Sequence, residues 1–124
     1  MNARSLPPCT SRSCVSTQAD ETDALRHIRP LAFATSSDTA IRGVVTALGR
    51  MPRLRILERD AISVHAVLPS PWLRIPTDIE LQIDVEARLV HVRVARPYVV
   101  RERSQSRLVA QEVLRRIEQE LRVL

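Results

Sequence analysis

No lysine occurs anywhere in this chain, glycine occurs only as Gly43 and Gly49, and the aromatic residues are Phe33, Trp72 and Tyr98 alone. Without lysine there is no Schiff-base chemistry, no lysine general base and no P-loop lysine to cradle a phosphate. Two isolated glycines cannot build a glycine-rich phosphate loop, and neither G-x-S-x-G nor H-E-x-x-H is present. Three scattered aromatics do not make a base-stacking platform or an aromatic cage. Long apolar runs are missing too, because Arg, Asp and Glu interrupt the hydrophobic stretches every few residues, so no segment has the length to cross a bilayer. Cysteine occurs only at Cys9 and Cys14, and a closed zinc site at this C-x4-C spacing lacks its second pair of ligands.

What is present amounts to one domain. A chain of 124 residues can bury roughly two thirds of the surface its unfolded form exposes. The core has to be aliphatic, built from Val, Leu, Ile and Ala. All nineteen basic residues are Arg and the net charge is +5, which attracts polyanions at low salt. The arginines are dispersed among acids, however, and a solvated surface accounts for them better than a nucleic-acid interface.

Residues 1–25 carry Pro7, Pro8, many Ser and Thr and the acids Asp20, Glu21 and Asp23 without periodicity, and they read as an irregular N-terminal arm. Residues 26–124 read as a single α+β domain. "PLAFA" at 30–34 suits a first strand. Ser36, Ser37 and Asp38 offer N-caps to a helix with Ile41, Val44, Val45, Leu48 and Met51 at helical spacing, closed by Gly49 and Pro52. Four strands follow. Leu54 and Ile56 alternate with Arg53 and Arg55; Ile62, Val64, Ala66 and Leu68 share a face. In "DIELQIDV", Ile79, Leu81, Ile83 and Val85 face one way and Asp78, Glu80, Gln82 and Asp84 the other. A turn near 86–88 leads to "LVHVRVA", with Val90, Val92 and Val94 on one side. Such alternation belongs to antiparallel sheets with one wet face. A last helix starts near Ser104 or Ser106 and aligns Ala110, Val113 or Leu114, Ile117, Leu121 and Leu124. The expected architecture is a two-layer β-α-β-β-β-β-α domain, an antiparallel five-stranded sheet with both helices on one face.

Five stretches together resemble a bacterial family known as domain of unknown function 1499. "PPCTSRSCVSTQA" at 7–19 resembles its "CPxSPNCVSSQA" entrance, and "HIRPLAF", "MPRLRILERD", "LRIPTDIEL" and "LVHVRVA" follow in register, so that the likeness spans about residues 9–121. Ser13 replaces the entrance Asn, and Thr77 replaces one Asp of the family, leaving Asp78 and Glu80. The stretch "VARPYVVRERSQSRLV" departs from the family's "SASRVGYSDLGVNRRR": the glycines, the Asp and the Asn are gone, Arg107 matches the first Arg of the run, and Glu102 is the candidate to stand where the Asp does. The resemblance implies this fold and an envelope setting, and no defined activity. The strand order also resembles a TATA-binding-protein half-domain, which by itself does not imply DNA binding.

Cys9 and Cys14 form a disulfide if the chain is exported and stay two free thiols if it is cytosolic. "MNARSLPPC" contains no apolar stretch of signal-peptide length, so the sequence as written reads as cytoplasmic, against the periplasmic or envelope setting of the resemblance. His65 and His91 lie on the polar faces of strands flanking Asp78, Glu80 and Gln82. Two strand spacings hold the histidines about 10 Å apart, so a surface ladder with Arg93 is expected in place of a metal or acid–base site; His27 has no identifiable partner. Arg96, Arg101, Arg103 and Arg107 gather at the entry to the last helix, where an anionic ligand could meet them with the free helix N–H groups. The sequence therefore reads as a non-catalytic binding or structural module with no cofactor and no metal. The alternatives are a small enzyme using Asp78, Glu80, His65 and His91, and polyanion or nucleic-acid binding through arginines.

Overall fold

The computed structural model describes residues 6–9, 11, 13–69, 76–96 and 104–123. In chain order the elements are β1 (Val15–Ser16), β2 (Leu31–Ala32), α1 (Ser37–Gly49), β3 (Arg55–Arg59), β4 (Ser63–Leu68), β5 (Thr77–Asp84), β6 (Leu89–Ala95) and α2 (Ser104–Val123). The strands pair antiparallel in the order β1-β6-β5-β4-β3, with β2 also on β6, which makes a six-stranded α+β sheet. Trp72, Tyr98, Arg101, Arg103 and Leu124 lie outside the described residues.

The alternation read from the sequence does place the core. Val64 and Ala66 of β4, Ile79, Leu81 and Ile83 of β5, and Val90, Val92 and Val94 of β6 form one buried cluster with Ile41, Val44 and Leu48 of α1 and Ala110, Val113 and Ile117 of α2. One face of the sheet thus packs on both helices. Ser36 caps α1, its hydroxyl accepting the Thr39 N–H at 3.2 Å.

Three departures have physical causes. Within the stretch expected to be irregular, Val15–Ser16 is a strand: it pairs with Val94 and Arg93, and Cys14 and Val15 are fully buried. Two residues carry no detectable period, so the pairing comes from β6 and not from local preference. Val85, expected among the core residues, is 49% exposed. Strand β5 stops one residue earlier, where Asp84 Oδ1 accepts the Ala87 N–H at 3.0 Å and Arg88 turns the chain at φ 55°. Gln82, expected on the wet face, is on that face but only 3% exposed, because residues 17 and 18 cross over it.

Candidate functional site

The polar face of the sheet is the first place to look for chemistry. Register sets His65 opposite Glu80 and Glu80 opposite Arg93, while His91 lies opposite Gln82, one row along. The groups separate into pairs. Arg93 Nη1 donates to Glu80 Oε1 at 3.0 Å, and His65 Nε2 is 3.4 Å from Asp78 Oδ1 at a largely exposed position. Among the described residues no three His, Cys, Asp or Glu side chains converge as metal ligands would. The face resembles a ladder of cross-strand pairs.

His91 is buried, and the arm buries it. The Thr17 hydroxyl accepts the Val92 N–H at 3.0 Å and lies 2.8 Å from His91 Nδ1, with the Val92 carbonyl farther away at 3.4 Å. The hydroxyl thus joins the imidazole to the Val92 backbone within the fold. Burial lowers the His91 pKa below 6.5, and the Asp84 carboxylate offsets this in part. In the unfolded chain the same ring binds a proton near 6.5, so the unfolded state holds more protons below that pH and stability falls as pH drops from 6.5 toward the lowered folded value. Urea unfolding of wild type and His91→Gln from pH 7.5 to 5 should show a steeper acid-side loss in wild type; parallel curves would mean that His91 does not contribute.

The rest of the arm is fastened along the sheet edge. Cys9 and Cys14 form a disulfide with Cα atoms 5.5 Å apart. Ser13, fully buried, accepts the Arg96 N–H at 3.1 Å and donates to the Arg96 carbonyl at 3.0 Å. Gln18 Nε2 donates to Gln82 Oε1 at 2.9 Å. After this excursion residues 26–28 return beside β1: the Ser16 N–H donates to the Arg26 carbonyl and the Ile28 N–H to the Ser16 carbonyl, at 2.8 and 3.2 Å.

Of the four arginines grouped from sequence, Arg96 is held against Ser13, and Arg101 and Arg103 lie outside the described residues. Arg107 points elsewhere. Its guanidinium donates to the carbonyls of Ala24, Leu25 and His27 at 3.0, 2.7 and 3.3 Å, binding the start of α2 to the returning arm. It also lines a cleft of ≈ 820 Å³ between residues 27–35 and one face of α2. Ile28, Phe33 and Leu114 are buried along it and Leu31 and Leu121 partly so, while Arg29, Arg115 and Arg122 stand with Arg107 among its lining. Arg115 is steadied by Glu112, whose carboxyl is pulled down to about 2 by hydrogen bonds from Arg115 and then Arg116.

Sequence reasoning missed this cleft. Its only local signal is that Arg107, Gln111, Leu114, Arg115, Glu118, Leu121 and Arg122 recur every three or four residues, a stripe on α2 beside the one that enters the core. Among the described residues no helix is long and apolar enough to cross a membrane. The family model described as "Protein of unknown function (DUF1499)" matches residues 5–114. No curated protein matches the chain.

Proposed function

The chain belongs to that family of proteins of unknown function, and we propose that it is a non-catalytic binding module that works in an oxidising, envelope-type compartment. The cleft beside α2 is the observation that carries the binding reading. Its volume of ≈ 820 Å³ falls in the range of about 300–1,000 Å³ typical of ligand sites, and it combines an apolar lining with a few charged groups, as such sites do. The non-catalytic reading is supported by the commitment of the polar sheet face to structure: Glu80 is tied to Arg93, Gln82 to Gln18 and His91 to Thr17. The compartment is supported by the Cys9–Cys14 disulfide, since such bonds persist where thiols are not kept reduced.

Two measurements test these readings. Broad activity screening with Glu80→Ala and His91→Ala as controls should find no turnover that both variants abolish; finding one would move the function to the sheet face. Mass spectrometry of protein taken from its native host with thiols blocked at lysis should show Cys9 joined to Cys14. Full alkylation of both cysteines would argue for a reducing compartment.

A further inference from the structure

We infer that the cleft binds an extended acidic stretch of polypeptide, which adds to the sheet as a strand beside β2; this rests on the reading of the cleft as the binding site. The backbone of β2 provides the open edge. Leu31 lies opposite Val90 and Ala32 opposite Leu89, and the Phe33 N–H donates to the Arg88 carbonyl at 3.0 Å. In an antiparallel ladder a residue directs both of its backbone groups to the same side, and successive residues alternate. Leu31 and Phe33 therefore turn theirs to β6, and Pro30, Ala32 and Ala34 turn theirs away. Pro30 has no N–H to offer, and the Ala34 carbonyl already accepts from Arg88 Nη1 at 3.3 Å. Ala32, an exposed residue lining the cleft, directs both an N–H and a carbonyl outward. Strand addition uses such an edge, with backbone bonds giving affinity and alternate side chains entering a groove.

The side chains specify what kind of strand. Side chains of an added strand that face α2 would meet Leu114 and Leu121 together with the arginines of the same wall, and the intervening ones would point to the other face of the sheet. Four arginines line the cleft against a single lining carboxylate, Glu118; Arg122 pairs with it, Arg115 with Glu112 and Arg107 with the carbonyls of the arm, while Arg29 makes no ion pair among the described residues. The positive charge is spread along α2 from Arg107 to Arg122, a length of roughly 22 Å at 1.5 Å per residue. An amphiphile with one anionic head would meet only one end of that row. A chain with acidic side chains at every second position meets all of it, and about six or seven residues of strand cover the distance.

The test uses the full chain, ¹⁵N-labelled, titrated with a capped heptapeptide of alternating Val and Glu, and with the same peptide carrying Lys for Glu. The Glu peptide should give saturable shifts at Ala32 and along the cleft and protect the Ala32 amide from exchange, while the Lys peptide binds about tenfold or more weakly. Ala32→Pro removes the outward N–H but no bond to β6; it should leave the Phe33 amide shift and the melting midpoint in place and weaken the Glu peptide about tenfold. Arg29→Glu, at an exposed residue whose side chain makes no hydrogen bond or ion pair among the described residues, should weaken the Glu peptide and spare the Lys peptide. A Glu peptide that binds folded Ala32→Pro as it binds wild type, or that leaves the Ala32 amide unmoved, overturns the inference. So does saturable binding of sodium dodecanoate, or concentration-dependent dimerisation through the cleft, without peptide binding; either would keep the cleft as a binding site with a different occupant. If none of these probes moves a cleft residue and the chain stays monomeric, the binding-module reading fails with it.

Discussion

Leu81→Asp is expected to leave the chain unfolded at 25 °C, whereas Val85→Asp, four residues along the same strand pattern, should change stability by no more than about 0.5 kcal/mol. Leu81 is 1% exposed in the middle of β5, between Val64 of β4 and Val92 of β6. Losing the leucine alone costs about 2–5 kcal/mol. A carboxylate placed there has no cation to pair with in the aliphatic cluster, and its desolvation adds several kcal/mol more. The sum rivals the whole stability of a domain, about 5–15 kcal/mol. Val85 is half exposed in the turn after β5, where a carboxylate stays in water. Far-UV circular dichroism and urea unfolding of the two variants provide the comparison. A cooperative transition in Leu81→Asp with a midpoint near that of wild type would refute the placement of β5 against the helices.

The contrast between those two residues also shows how far the sequence can be read. Ile79, Leu81, Ile83 and Val85 have the same apolar character at the same spacing, and period alone assigns all four to the core. What separates Val85 is the turn bond from Asp84 Oδ1 to the Ala87 N–H, which ends the strand. Such a bond is local, and "DVEA" holds the polar residue that makes it, but the alternation overrides the cue. The sheet, α1 and α2 were legible because each has an apolar face repeated over several turns or strand residues. The edge was not. Val15–Ser16 is stabilised by β6, a partner about eighty positions away, and its two residues have no pattern of their own.

Site residues were legible to the extent that their partners were side chains. The ladder of Asp78, Glu80, His65 and Arg93 follows from strand alternation, and the pairs His65–Asp78 and Glu80–Arg93 join residues on the wet face. Arg107 could be grouped with its sequence neighbours, yet its guanidinium binds backbone carbonyls of residues 24, 25 and 27, groups that every residue carries and that no motif marks. The cleft lies beside that contact: α2 supplies one wall, the returning arm the other, and neither wall is unusual alone.

Thr17→Val is expected to destabilise the domain by about 3 kcal/mol although the two side chains have nearly the same shape. Thr17 is 5% exposed, and its hydroxyl does the work a strand carbonyl would otherwise do, accepting the buried N–H of Val92 while the Thr17 N–H donates to the Val92 carbonyl at 3.0 Å. It also serves His91 Nδ1. Valine leaves both of these groups unpaired in a site closed to water, at about 1–3 kcal/mol for each. The methyl that replaces the hydroxyl recovers part of this, roughly 1 kcal/mol. A loss of 3 kcal/mol corresponds to roughly 10 °C in melting midpoint for a domain of this size. Thr17→Ser keeps the hydroxyl and gives up one methyl group, so it should cost about 1 kcal/mol or less. Thermal and urea unfolding of both variants at pH 7.5, where His91 is neutral in the folded and unfolded chain alike, isolate the hydrogen bonds from proton uptake. Equal stability of Thr17→Val and wild type would mean that the arm does not hold the sheet edge through this hydroxyl, and that the burial of His91 has another cause.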